Sequence, residues 1–226
     1  MANYDIVIHG SKELRDHCED EYGDRNRAQD RAVTYLEGAG NRLSNHSINA
    51  EFIDTDITAP TQEYHVDNTY QAKPCDRIWE YNWLHTWFRD YCSCNGIQEG
   101  DDCTFLLTFI DGMLSGGAMS YDTGHSVVIT GKYIATLPSS YEPRGTTVGH
   151  NGVATLLHEF GHYGMGGVSK SHERADDWYV SPTKAYKTVM GEDLEDGDTN
   201  YCSDYLDLRG QEGFELYWDD CCRQEW

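Results

Sequence analysis

Apolar positions along the chain fall into two rhythms, one of period two and one of helical period. Residues 4–9 (YDIVIH) form a short run around Ile6, Val7 and Ile8, bounded by Gly10, which predicts a strand. Ser11 then stands where a helix N-cap is wanted. Leu14, Ala28, Ala32, Val33 and Leu36 follow at helical spacing, with Gly23 placed to divide the helix in two. Residues 48–53 (INAEFI) alternate as a second strand. Residues 76–91 carry Trp79, Trp83, Leu84, Trp87, Phe88 and Tyr91 on one broad face, which predicts an amphipathic helix whose aromatic stripe packs in the core. Residues 104–110 (TFLLTFI) are apolar throughout, as expected of a strand buried on both faces. The glycine-bearing segment 115–121 (SGGAMSY) suits an edge strand, 126–130 (SVVIT) a central one, and a helix is expected over about 152–163. Beyond it the chain becomes glycine-rich, acidic and aperiodic. This order predicts an α/β fold with a small irregular C-terminal lobe, divided at 1–166 and 167–226 within one domain overall.

Charge narrows the function classes. Lys+Arg of 17 against Asp+Glu of 39 gives 17 − 39 = −22 at neutral pH. Such a chain lacks the basic footprint that nucleic acid requires. A hydrophobic fraction of 38% is too high for a disordered chain, yet no apolar run approaches the roughly 20 residues of a membrane span. The carboxylates are dispersed rather than gathered in a tail, and arginine outnumbers lysine. That pattern predicts a halophile surface, kept hydrated in molar salt that screens its self-repulsion. The alternative is an acidic binding surface.

Eight cysteines (18, 75, 92, 94, 103, 202, 221 and 222) suggest disulfides and an oxidising compartment, with Cys202 pairing Cys221 or Cys222 to pin the C-terminal lobe. The chain starts Met-Ala-Asn-Tyr and enters an apolar strand without a signal-type segment. Two routes to an extracellular place are therefore expected: a leader removed beforehand, or release by lysis as a virion component.

The chemistry concentrates in residues 156–167, LLHEFGHYGMGG. His158 and His162 are four apart, so on a helix they project from one face and can grip one metal ion. Glu159 stands beside them as general base for an attacking water. Val153, Leu156, Leu157 and Phe160 give the same helix an apolar side. Catalytic zinc takes three protein ligands and keeps one position open. His172 is the leading third ligand because the turn YGMGGVSKS lets the chain return to the metal. Glu173, Asp176, Asp177 and Glu192 are its rivals. His150, ahead of the motif, is either a supporting residue or exposed. The carboxylates of 191–200 (GEDLEDGDTN) could hold calcium, but no EF-hand pattern is present and a solvated halophile loop is the favoured reading.

HEFGH, the glycine-rich turn, the later histidine and Thr188-Val189-Met190-Gly191 resemble the metzincin clan of zinc endopeptidases, whose motif is HExxHxxGxxH. SGGAMSY ahead of SVVIT is similar to the edge strand of its reprolysin-like members. The turn is longer here, 172 − 158 = 14 residues separating His158 from His172. The resemblance implies a mostly parallel twisted sheet with one antiparallel edge strand and an active-site helix. It implies zinc held by His158, His162 and His172, with Glu159 as base and Met190 in the methionine turn beneath the metal. A protein or peptide substrate would lie extended along Gly117, Ala118, Met119 and Ser120, with Thr155 and the 186–189 segment walling its main pocket. Two other readings remain. One is a binding module on a protease fold, a virion or surface component with structural zinc and little hydrolysis. The other is a thermolysin-like peptidase using Glu192, against which the strand order and Met190 argue. The sequence leaves the oligomeric state open.

Overall fold

The computed structural model describes residues 2–43, 45–59, 65–72, 75, 79–109, 124–128, 130–164, 178–180, 185–187 and 211–218. Strand β1 (Ala2–Gly10) runs straight into helix α1 (Lys12–Tyr22), where the Ser11 hydroxyl accepts a hydrogen bond from the Leu14 amide at 3.2 Å. That satisfies one of the amides a helix start leaves unpaired. Gly23 ends α1 in the left-handed region at φ 63°, which a residue without Cβ adopts freely, and α2 (Arg27–Gly40) follows as the expected second piece. Strand β2 (His46–Phe52) then pairs with β1 in parallel, Tyr4 opposite Ile48 and Ile8 opposite Phe52.

The next stretch corrects the sequence reading. Strands β3 (His65–Ala72) and β4 (Trp79–Trp83) form an antiparallel pair, and helix α3 (Leu84–Asn95) begins only after them. The helix expected over 76–91 is therefore extended over its Trp79–Trp83 part. WEYNW places aromatics two apart as well as four apart, so one pattern fits both periods, and pairing with β3 decides for the strand. Helix α3 does bury Leu84, Trp87 and Phe88, as its stripe foretold.

Strand β5 (Cys103–Leu107) is buried at all five positions and lies on the other side of β1, and β6 (His125–Val128) lies beside β5. The order is β2-β1-β5-β6 and every pairing is parallel. The route from β1 to β2 passes through α1 and α2, and the route back past β1 to β5 passes through α3. Right-handed crossovers running in opposite directions put their helices on opposite faces. The core divides accordingly: Ile6, Ile8, Phe105, Leu107 and Val128 pack with Leu14, Leu36 and Leu157, while Leu106 and Val127 pack with Trp87 and Phe88. The expected antiparallel edge strand at 115–121 lies outside the described residues.

A short helix α4 (Gly131–Ile134) and a two-residue strand β7 (Arg144–Gly145) lead into α5 (Val148–Gly164), which contains the HEFGH motif. Strands β8 (Trp178–Val180), β9 (Ala185–Lys187) and β10 (Gln211–Glu215) join β7 in a second sheet, ordered β7-β10-β9-β8, in which only β9 and β10 are parallel. The C-terminal region expected to be irregular thus contributes three strands. These are too short for a period to register in sequence. After β10 the chain returns to the main core, where Leu216 is 0% and Trp218 1% exposed. The Leu216 amide donates to Pro143 O at 2.9 Å, and Leu216 O accepts from the Tyr141 hydroxyl at 2.8 Å.

Among the described cysteines, Cys75 is bonded to Cys94, whereas Cys18, Cys92 and Cys103 are buried free thiols. Parity of the cysteine count therefore overstated the pairing in this part of the chain. The pairing expected at Cys202, Cys221 and Cys222 lies outside the described residues. No helix among those residues is long and apolar enough to cross a membrane.

Candidate metal centre

Helix α5 is anchored by its apolar side. Val153, Leu156, Leu157 and Phe160 are all 0% exposed, and Phe160 meets Trp218 edge-on at 5.8 Å and Tyr4 edge-on at 5.5 Å. Because 3.6 residues make a turn, fixing that side fixes where the other residues point. His158 and His162 fall one turn apart, their ring centroids 4.5 Å from each other and their planes at 84°. One donor atom from each histidine and one carboxylate oxygen of Glu159 all lie within 4.8 Å of one another. His158 is half-buried, and Glu159 and His162 are each only 7% exposed. Two imidazoles and an adjacent carboxylate form a donor set suited to zinc, with nitrogen ligands on one face and an acid–base group within reach. The described residues thus fit the metal that the sequence implies.

Thr155 is on the same helix, half-buried, with its hydroxyl bonded back to Asn151 O at 3.1 Å. Of the 186–189 wall segment, Tyr186 and Lys187 fall in β9. His172, its rivals Glu173, Asp176, Asp177 and Glu192, the methionine-turn residue Met190, the substrate-binding segment Gly117, Ala118, Met119 and Ser120, and the 191–200 loop all lie outside the described residues.

The start of α5 holds a histidine whose role the sequence misjudged. His150 is 5% exposed, neither open to solvent nor beside the histidine pair. Its Nδ1 lies 2.6 Å from the Thr147 hydroxyl and its Nε2 3.4 Å from a Glu142 carboxylate oxygen. Burial lowers its pKa, and Glu142 partly opposes that. The ring fits because residue 145 is glycine: a Cβ there would come within 1.9 Å of the imidazole. His150 is a strut that joins the helix start to the turn before β7. Its one sequence signal was Thr147 at a capping distance.

At the other end, Tyr163 follows His162 directly. Its hydroxyl donates to Asp102 Oδ1 at 3.1 Å, while Asp102 Oδ2 accepts the Asp5 amide of β1 at 2.8 Å. The Tyr163 ring stacks on Phe160 at 6.4 Å between centroids. Burial, then Asp102, push the phenol up to about 12, so it stays a donor across the neutral range. Nothing in the sequence links Tyr163 to Asp102, 61 positions away.

In comparisons with known proteins the chain matches no protein-family model and no curated protein.

Proposed function

We propose that this chain is a zinc-dependent endopeptidase of metzincin type that hydrolyses extended protein segments. The observation that carries the reading is the convergence of His158, Glu159 and His162 on the side of a helix opposite its core-packed apolar face. His158 and His162 would hold the ion, with His172 as the proposed third ligand and Met190 in the turn beneath. Zinc, when bound, supplies Lewis-acid activation of the scissile carbonyl and of water. Glu159 would take the proton of the attacking water and return it to the leaving amine, as the general base and then acid beside the two imidazoles. The substrate backbone would align along Gly117, Ala118, Met119 and Ser120, adding a strand to the sheet. The 191–200 carboxylates are a candidate calcium loop. The acidic surface fits work outside the cell, or on a virion, at high salt.

The test is cleavage of a mixed quenched-peptide library at molar salt, with zinc content measured in parallel. Wild type should cut and chelated wild type should not. Glu159→Ala should keep fold and zinc while losing about 100- to 10,000-fold in kcat/KM. Full activity in Glu159→Ala would overturn the mechanism. A wild type that binds zinc but cuts nothing would move the assignment to the binding module.

A further inference from the structure

We infer that Tyr163 and Asp102 form a positioning clamp that fixes His162 as a metal ligand. The inference rests on the zinc-site reading of the HEFGH helix. His162 lies in the last turn of α5, which ends at Gly164. Last turns fray, because their carbonyls lack partners within the helix. The sequence from Gly164 on, GMGGVSKS, has three glycines and no proline. A metal ligand must nevertheless stay within about half an ångström of its working position.

The clamp supplies what the covalent chain does not. Tyr163 reaches across to Asp102, whose second carboxylate oxygen is tied to the Asp5 amide in the central strand of the main sheet. A hydrogen bond to an ionised carboxylate is stronger than one between neutral groups. The ring is held from below by Phe160, itself 0% exposed. Tyr163 and His162 are neighbours on one helical turn, so arresting the first arrests the backbone that carries the second. Tyr163, bonded to Asp102 and stacked on Phe160, would act through the backbone of His162 and is therefore a positioning residue.

The experiment compares wild type, Tyr163→Phe and Tyr141→Phe in the full chain. Tyr141→Phe is the matched control, since it also removes one phenol hydrogen bond, to Leu216 O rather than to Asp102, and Tyr141 lies outside helix α5. Zinc affinity is read by competition with a chromophoric chelator, below the lowest melting temperature of the three. The visible bands of the cobalt(II)-loaded proteins report the geometry of the ligands. Tyr163→Phe should weaken zinc binding about tenfold, the low end of what loss of an outer partner costs a metal site, and should shift the cobalt bands. Tyr141→Phe should lower the melting temperature and leave both metal readouts at wild-type values. Wild-type affinity and spectrum in Tyr163→Phe, with only a drop in melting temperature, would reduce the clamp to fold stability and overturn the inference. A wild type that binds neither ion removes the metal centre and the clamp together. A wild type that binds zinc without cleaving peptides defeats the endopeptidase reading alone, because the affinity ratio still reports the clamp.

Discussion

Helix α5 carries three of the chain's ten histidines, and its two ends use them differently. At the start, His150 is enclosed by Thr147 and Glu142 and has become part of the scaffold. About two and three turns further on, His158 and His162 face each other with Glu159 between them in sequence, and their donor atoms converge. The residue type is the same, and all three are at least half-buried. What differs is what each imidazole meets: at His150 the nearby polar groups are Thr147 and Glu142 on either side of one ring, whereas at the far end each ring has the other beside it. Spacing to another donor on an anchored face makes the His158–His162 pair a candidate metal site, while Thr147 and Glu142, one at each ring nitrogen, make His150 a strut.

Both ends depend on the apolar side between them, so the largest break in the comparison is Phe160→Ala. It should cost about 3–5 kcal/mol of stability in urea unfolding, because Phe160 joins Tyr4, Tyr163 and Trp218 in the core. A loss below about 1 kcal/mol would mean that α5 is not anchored as described. Next come paired substitutions that separate the ends. His150→Ala should cost about 0.5–3 kcal/mol, by emptying the site of a buried imidazole and removing its bonds to Thr147 and Glu142, while zinc stoichiometry stays at the wild-type value. His158→Ala should do the reverse, abolishing tight zinc binding at a cost below about 1 kcal/mol to the metal-free fold. If the two variants exchanged these outcomes, the roles assigned to the ends would be wrong.

The smallest effect is a dependence on pH. Burial holds His150 and His9 below their ordinary value of 6.5, and burial with Arg89 pushes His85 down to about 4. Native groups with depressed values bind fewer protons than the unfolded chain, so stability rises with pH across the window. Their contribution is complete above the unfolded value near 6.5 and declines as pH falls from there toward the folded values. The urea midpoint should therefore fall between pH 7 and pH 5, and His150→Gln should flatten part of that slope. A midpoint independent of pH over that interval would show that these imidazoles are not held neutral by the fold.

Much of this was legible in the residues, for local reasons. The N-cap at Ser11, the stop at Gly23, the apolar runs of β1, β5 and β6 and the apolar side of α5 are each set by a few consecutive positions, and the structure places them where the pattern did. The i,i+4 histidines converge because helix geometry allows little else. Where a pattern served two periods, as in WEYNW, the sequence could not choose, and pairing with β3 did. The short strands β8, β9 and β10 escaped notice because three to five residues carry too little repetition to distinguish a strand from a loop.

By itself, then, the sequence determined the α/β character, the helix that bears HEFGH and the spacing that brings His158, Glu159 and His162 together, since all of these follow from contacts within a few residues. Only the tertiary structure decided which histidine is a strut, that Leu216 and Trp218 come back to support the helix from the far end of the chain, and that Tyr163 is tied through Asp102 to the central strand. Those outcomes depend on groups far apart in sequence meeting in three dimensions, and local periodicity holds no record of which distant partner will arrive.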